Sequence, residues 1–347
     1  MRRKIIKIVW IILALLLVGL LVILAGAWSM FGEKVKAAQS VKRLEEGLYY
    51  LEYSGDYGFD AFLEKGGASS EAAMAEYITS FLSGGFAKGG ANPAPQDFGC
   101  STLTVHSLMG RNYDWEGADG CAIIIHTKPQ NGYESYSTNW LNFMGFGQGW
   151  KPEGFANQYM ALAAIYVPLD GINEKGLCVA DLINGDNEQT HQRTDKADLT
   201  TSTAIRLLLD KAATVDEAIA LLEQYDMNSA IGMSHHLAIS DGTGRSVVVE
   251  YIGDEMIITE TPVVTNHYLS AGEKHGIGNP ESLARFEKLL EMSSGIACVE
   301  DMRSTMEAVS YPNNTRWSIV YDTDAKSFDF YWNRQFDTPY HFVIDRS

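Results

Sequence analysis

The stretch Gly99-Cys100-Ser101-Thr102-Leu103-Thr104-Val105, followed by Met109-Gly110-Arg111-Asn112-Tyr113-Asp114-Trp115, decides how this chain is read. A small residue precedes a cysteine. The run Leu103 to Val105 has β character. Gly110 then reads as a tight turn carrying Arg111 and Asp114. Thiolate chemistry needs a nucleophile, a group that holds its charge and a group that moves a proton. This block supplies all three if Cys100 becomes a chain terminus. A terminal α-amine has a pKa near ~7.7 and acts as a base at neutral pH. In a strand, positions i and i+2 share a face, so Arg111 and Asp114 converge only if the strand bends.

Upstream, Ser83 to Gly99 is rich in Gly, Ala and Pro and reads as a loop or linker. With Cys100 at its end, it reads as a hinge that presents the Gly99–Cys100 bond for cleavage. The chain has 347 residues, 46% hydrophobic and 20% charged, which suits a globular body with a real core. A net charge of −17 argues against nucleic acid as a partner.

Residues Ile5 to Ala27 are almost wholly apolar and follow Arg2, Arg3 and Lys4. A run of roughly 20 apolar residues can span a bilayer. The basic flank places the N-terminus in the cytoplasm and the bulk of the chain outside. Ala25-Gly26-Ala27 also resembles a signal-peptide cleavage site. The run is long for a signal peptide, so an anchor is favoured, and either reading exports the chain.

Four cysteines in a chain this long do not make a disulfide framework. Cys121, Cys178 and Cys298 read as buried thiols beside apolar neighbours. No CxxC pair supports a zinc ribbon. The histidines His235, His236 and His267 raise a metal or Cys/His reading, but no His-Glu-x-x-His occurs. No metal or organic cofactor is expected.

Gly47 to Tyr53 alternates like a strand, and Ser70 caps a helix that Gly84 and Gly85 end. Glu33 to Glu46 is helix-compatible. Beyond Cys100, strands are expected at Ser101–Val105, Cys121–Thr127, Tyr159–Pro168, Leu177–Ile183, His236–Ser240, Ser246–Tyr251, Met256–Thr259 and Pro262–Asn266. Helices are expected at Thr201–Ala213, after the capping box at Thr214, and at Glu281–Met292. Trp317–Tyr321 and Ser327–Trp332 form a hairpin. The pattern alone gives an α+β fold.

The block around Cys100 resembles the choloylglycine hydrolase family of N-terminal-nucleophile (Ntn) hydrolases. That family groups bile salt hydrolases and penicillin V acylases; acid-ceramidase-like amidases belong to the same wider group. The resemblance also covers Gly171-Ile172-Asn173-Glu174-Lys175-Gly176-Leu177, Val264-Thr265-Asn266 and Leu283-Ala284-Arg285-Phe286, in family order. It implies a four-layer αββα sandwich over residues 100–347. A transmembrane segment (1–28) and a small propeptide with its linker (29–99) precede it.

The resemblance further implies that Cys100 is the nucleophile, that Arg111 lies near the thiol and that Asp114 holds the terminal amine. Asn266 is implied as an oxyanion donor, and Arg285 as a residue that orders the site. The family's second oxyanion donor comes from an asparagine soon after the Asn-Glu-x-Gly-Leu motif. Here Ile183 stands at that place, with Asn184 next to it. The Gly-rich aromatic stretch Asn139 to Trp150, with Trp140, Phe143 and Phe146, lines an acyl pocket or packs on the core.

The reading is an exported amidase that cuts a linear carbon–nitrogen bond in a small N-acyl substrate, held at the membrane through residues 5–27. Acyl transfer from the same acyl-enzyme, a non-catalytic binding role and homo-oligomerisation stay open at this point.

Overall fold

The computed structural model describes residues 2–85, 98–116, 120–144, 149–186, 188–230 and 232–344. The α-helices are α1 Arg2–Ser40, α2 Phe59–Glu64, α3 Glu71–Leu82, α4 Phe155–Met160, α5 Thr201–Lys211, α6 Val215–Leu222, α7 Pro280–Ser293 and α8 Val299–Ala308. The N-terminal strands are β1 Lys42–Glu45 and β2 Leu48–Gly55. Next come β3 Phe98–Val105, β4 Leu108–Trp115, β5 Ala122–Pro129, β6 Ser135–Trp140, β7 Asp170–Asn173, β8 Cys178–Ile183 and β9 Ala197–Thr200. The chain continues with β10 Tyr225–Asn228, β11 His235–Ser240, β12 Ser246–Ile252, β13 Glu255–Glu260 and β14 Val263–Thr265. It closes with β15 Thr315–Asp322, β16 Ser327–Trp332 and β17 Tyr340–Val343.

Two sheets stack face to face. One has nine strands in the order β1-β2-β5-β6-β7-β8-β11-β12-β13; the other has six, β14-β3-β4-β15-β16-β17. An apolar core that includes Cys100, Tyr113, Ile124, Trp140, Ala180, Val248, Trp317 and Phe330 fills the space between them. The nine-stranded sheet carries α5 on its outer face, over a second core of Ile123, Val179, Leu208 and Leu237. Helices α7 and α8 cover the six-stranded sheet over Leu103, Leu289, Met302 and Met306. The layers are therefore helix, sheet, sheet, helix, and strands covered on both faces read as apolar runs.

Local signals explain most elements. The Ser70 side chain accepts from the Ala73 N–H at 3.3 Å and starts α3. Thr214 accepts from the Glu217 N–H at 3.2 Å and starts α6, while Glu217 reaches back to the Ala213 N–H at 2.8 Å. Asn279 caps α7, with Pro280 in its first turn.

Several expectations are corrected. Tyr159–Pro168 is not a strand: α4 runs into a 3₁₀ helix over Ala161–Tyr166. An apolar run fits either element, and its alanines favour the helix. The tight turn lies at His106-Ser107, not at Gly110, and His106 adopts the left-handed conformation with φ 54°. Gly110 sits inside β4, where a Cβ would come within 2.7 Å of the Met302 and Met306 sulfurs. It is small because α8 packs on it. The helix expected over Glu33–Glu46 ends at Ser40, and β1 takes the rest. Cys121 and Cys178 are buried, but Cys298 is exposed at the start of α8.

Residues 42–55 lie within the main sheet. Strand β2 pairs in parallel with β5, from Leu48 opposite Ala122 to Gly55 opposite Pro129. Leu48 and Leu51 are fully buried. Tyr57 donates to the Asp210 carboxylate at 2.5 Å, and Asp60 pairs with Lys211 at 2.8 Å. The stretch expected as a small propeptide thus supplies two strands and a hydrogen-bonded clamp. Among the described residues one helix, α1, is long and apolar enough to cross a membrane; Leu15, Leu21, Leu24 and Trp28 are exposed along it.

Candidate active site

Cys100 lies near the start of β3, three residues into a strand that pairs with β4 on one side and β14 on the other. Cross-strand pairing then assigns faces. Cys100 stands opposite Tyr113, so both point between the sheets, and Arg111 shares that face two residues on. Gly99 stands opposite Asp114, and both face the α7–α8 layer. Arg111 and Asp114 therefore approach the Gly99–Cys100 stretch from opposite sides of β4, and no bend is needed.

Arg111 is fully buried. Its Nε donates to Asp170 Oδ2 at 3.3 Å and its Nη2 to the Asp181 carbonyl at 2.9 Å. Its Nη1 has no hydrogen-bond partner. Burial alone lowers the pKa of this guanidinium, but Cys100, Asp170 and Asp181 keep it raised. Burial also pushes the Cys100 thiol up. The Arg111 charge opposes that push, the Asp114 charge adds to it, and the Asp114 backbone N–H and Arg285 oppose it. In the intact chain the thiol is held protonated.

On the other face, Asp114 is fully buried and accepts from Arg285 Nη1 at 2.7 Å and from the Thr315 hydroxyl. Arg285 Nη2 donates to Ser101 Oγ at 2.8 Å, and the guanidinium lies 4.3 Å from the Tyr311 ring centre. A Cβ on Gly99 would stand 2.9 Å from the Tyr311 ring, 3.4 Å from Arg285 Nη1 and 3.5 Å from Asp114 Oδ2. The residue before Cys100 is small because the Asp114–Arg285 pair occupies that side. The Gly99–Cys100 bond thus runs beside a buried carboxylate–guanidinium pair.

Asn266 follows β14. Its Oδ1 accepts from the Cys100 backbone N–H, and its Nδ2 donates to the Ile183 carbonyl at 2.6 Å. An amide nitrogen carries two hydrogens, so one N–H of Asn266 stays available for a developing oxyanion. Asn184 is fully buried beside Tyr268, and its side-chain N and O form no hydrogen bond of normal geometry. Cys100, Arg111, Asp114, Asn266 and Arg285 come together; Asn184 lies next to the Ile183 carbonyl that Asn266 holds.

The aromatic residues divide. Trp140 is buried at 1% exposure among Tyr113, Trp317 and Trp332, so it is core packing and not an open pocket wall. Phe143 is half-buried, edge-on to Trp115 with ring centres 4.7 Å apart. Phe146 and most of the linker before Cys100 lie outside the described residues. Among the described residues no group of three His, Cys, Asp or Glu is placed to hold a metal. His236 and His267 instead bond Glu250 and Thr265.

Sequence reasoning missed Asp170, the residue before the Gly171–Leu177 motif. Its Oδ2 accepts from Arg111 and, at 3.2 Å, from Trp317 Nε1. Its Oδ1 accepts from the Tyr321 hydroxyl at 3.1 Å and from Thr138. Asn173 within the motif bonds the Leu209 and Ala212 carbonyls and the Lys175 and Leu177 N–H groups, which shapes the turn.

The model of the acyl-coenzyme A:6-aminopenicillanic acid acyl-transferase family matches residues 103–328. The chain belongs to that family. The resemblance read from the four motifs is borne out at family level. A penicillin V acylase of Pectobacterium atrosepticum is 27% identical over 168 residues, which is 44% of this chain and 42% of the relative. The aligned stretch thus spans less than half of that relative's length. Among solved structures, a mutant of conjugated bile acid hydrolase from Clostridium perfringens superposes with a TM-score of 0.51 at 14% identity, over 72% of this chain and 93% of that one. Penicillin V acylase from Agrobacterium tumefaciens gives 0.49 at 20% identity, over 71% and 86%. The layered sheets of this acyl-transferase-family chain thus share the Ntn-hydrolase-like fold of the bile acid hydrolase.

Proposed function

We propose that the chain is an exported, membrane-anchored amidase that hydrolyses a linear carbon–nitrogen amide bond of an N-acyl substrate through Cys100. The observation that carries the reading is the position of the Cys100 backbone nitrogen. It donates to Asn266 Oδ1, next to a bond whose other side faces Asp114 and Arg285. Cleavage of Gly99–Cys100 turns that nitrogen into an amine without moving it from its acceptor.

In the first stage the Cys100 thiol adds to the Gly99 carbonyl, the acyl group passes from nitrogen to sulfur, and water hydrolyses the thioester. Gly99 leaves with a carboxylate and Cys100 keeps a free α-amine. In each later turnover that amine takes the thiol proton, directly or through a water. The Arg111 charge stabilises the thiolate. The thiolate attacks the substrate carbonyl and an Asn266 N–H donates to the oxyanion; the Cys100 ammonium then passes its proton to the substrate nitrogen, which leaves as a free amine as the C–N bond breaks. Water then releases the acyl group as an acid and restores the thiol.

Residues 1–28 form the anchor, 29–99 the propeptide and 100–347 the catalytic domain in this reading. Because β1 and β2 belong to the main sheet, cleavage leaves a two-chain enzyme with no covalent link between anchor and nucleophile. The basic flank of α1 puts the catalytic layers outside the cell. Acyl transfer is a second reading, favoured by the description of the matching family. It differs only in the nucleophile that takes the acyl group. Purified protein, wild type beside Cys100→Ala, is screened against penicillin V, bile salt conjugates, N-acyl amino acids and N-acylethanolamines. Cys100-dependent release of a free acid supports hydrolysis. Release only when an acceptor amine is added supports transfer. Equal signals from both proteins refute a Cys100 enzyme.

A further inference from the structure

The segment after Asn266 is held by a device that neither the motifs nor the reaction accounts for. Glu250 is a central residue of β12, fully buried and facing the space between the sheets. Its Oε1 accepts from the Leu269 backbone N–H at 2.9 Å, and its Oε2 from the Ser270 backbone N–H at 2.6 Å. Its cross-strand neighbour His236 places Nδ1 3.0 Å from the same Oε1. Burial pushes the Glu250 carboxyl up, yet the His236 contact and the two amides together hold it below its ordinary value. A carboxylate that accepts several N–H groups in the interior is fixed in place, and it fixes its donors.

Tyr268 stands between Asn266 and these amides. Its backbone N–H donates to the Ile277 carbonyl at 3.0 Å. Its hydroxyl donates to Ser234 Oγ at 2.9 Å, and the Ser234 carbonyl accepts the Asn184 backbone N–H at 3.0 Å. Asn266 Nδ2 reaches the carbonyl of Ile183, the residue before Asn184. The segments that carry the two asparagines are thus joined twice, once by Asn266 Nδ2 on the Ile183 carbonyl and once through Tyr268 and Ser234.

We infer that Glu250 clamps residues 266–270 and that Tyr268 braces this segment against Asn184, so both are positioning residues for the amide groups that meet the reacting carbonyl. Neither touches substrate. The inference rests on the amidase reading for its kinetic consequence, while the clamp itself stands on geometry alone. Preorganised donors lose much of their effect when their supports loosen.

The test uses the full chain as wild type, Glu250→Gln and Tyr268→Phe. Glutamine keeps the shape and one acceptor but presents N–H groups to a second backbone donor. Hydrogen exchange read by mass spectrometry should accelerate about 10-fold or more in peptides covering 266–270 of Glu250→Gln, while 100–115 stays unchanged. Kinetics use penicillin V and whichever screened amide is cut in a Cys100-dependent way. For Glu250→Gln, kcat should fall about 10- to 50-fold with KM within 3-fold, part of the ~10²–10³-fold that losing an oxyanion donor costs. For Tyr268→Phe, which removes one oxygen, kcat should fall about 3- to 10-fold at unchanged KM. Unchanged exchange at 266–270 overturns the clamp. A kcat within 2-fold of wild type in both variants, or a loss carried wholly by KM, overturns the positioning role. If Glu250→Gln does not fold, Tyr268→Phe alone decides. If wild type cuts no amide, the amidase reading fails and the exchange result still judges the clamp.

Discussion

Asp170 is the buried carboxylate paired with Arg111, and Asp170→Asn isolates its charge. Four donors converge on the carboxylate: Arg111 Nε and Trp317 Nε1 on one oxygen, Thr138 and Tyr321 hydroxyls on the other. An asparagine of the same shape keeps its carbonyl oxygen toward the two N–H donors. Its NH₂ then faces the two hydroxyls, which rotate to accept. The hydrogen bonds survive and the charge does not. Arg111 and Asp170 are both fully buried in this ion pair. Removing one partner of a buried pair costs about 3–5 kcal/mol, because the other charge stays in the interior. The surviving amide dipole favours the lower end, about 3 kcal/mol. At about 2 °C per kcal/mol for a large domain, the Tm should drop by about 6 °C. Scanning calorimetry of wild type, Asp170→Asn, Arg111→Met and the double variant measures it. The double variant should recover part of the loss, since it buries no unpaired charge. A single Asp170→Asn variant that melts within 1 °C of wild type would refute the reasoning: Arg111 would then not rely on Asp170 for its charge balance.

Other outcomes follow from the same packing. Leu51→Ala, at a fully buried β2 position, should destabilise the processed enzyme by about 2–5 kcal/mol in urea unfolding; no change after processing would mark residues 29–85 as a detachable leader. His267 has its pKa lowered from 6.5 to about 4, chiefly by burial. Between those two pH values the unfolded chain binds a proton that the folded chain does not, so stability should fall as pH drops through this window, by up to about 3 kcal/mol. His267→Asn should flatten the pH 4–6.5 limb in a series of thermal melts, and an unchanged limb would assign it to other groups. Brief alkylation of the uncut native chain should label Cys298 before Cys100, Cys121 and Cys178, because it is the exposed thiol; peptide mapping reads the order.

The sequence made Cys100, Arg111, Asp114, Asn266 and Arg285 legible because three short motifs carry them, and the fold brings those motifs to one place. Asp170 and Glu250 were not legible. Asp170 meets Arg111, Trp317 and Tyr321 across the two stacked sheets, and Glu250 meets the backbone amides of Leu269 and Ser270 in the segment after β14. Strand pairing also decided how Arg111 and Asp114 are used. They face opposite sides of β4, with Arg111 on the inter-sheet side that Cys100 shares and Asp114 on the side of Gly99 and Arg285, where a bend had been expected. Trp140 looked like a pocket residue because it opens a Gly-rich loop, yet it ends β6 and fills the inter-sheet core. Residues 48–53 had strand periodicity, but nothing local told that their partner would be β5, lying beyond Cys100. Parallel pairing of that kind is set by the whole sheet and not by a turn.

The most direct test of the account is the intact mass of the active protein. Wild type should give two chains, the second beginning at Cys100, while Cys100→Ala should remain a single uncut chain. Full activity from a wild-type protein that is still one chain across Gly99–Cys100 would contradict the account at its centre.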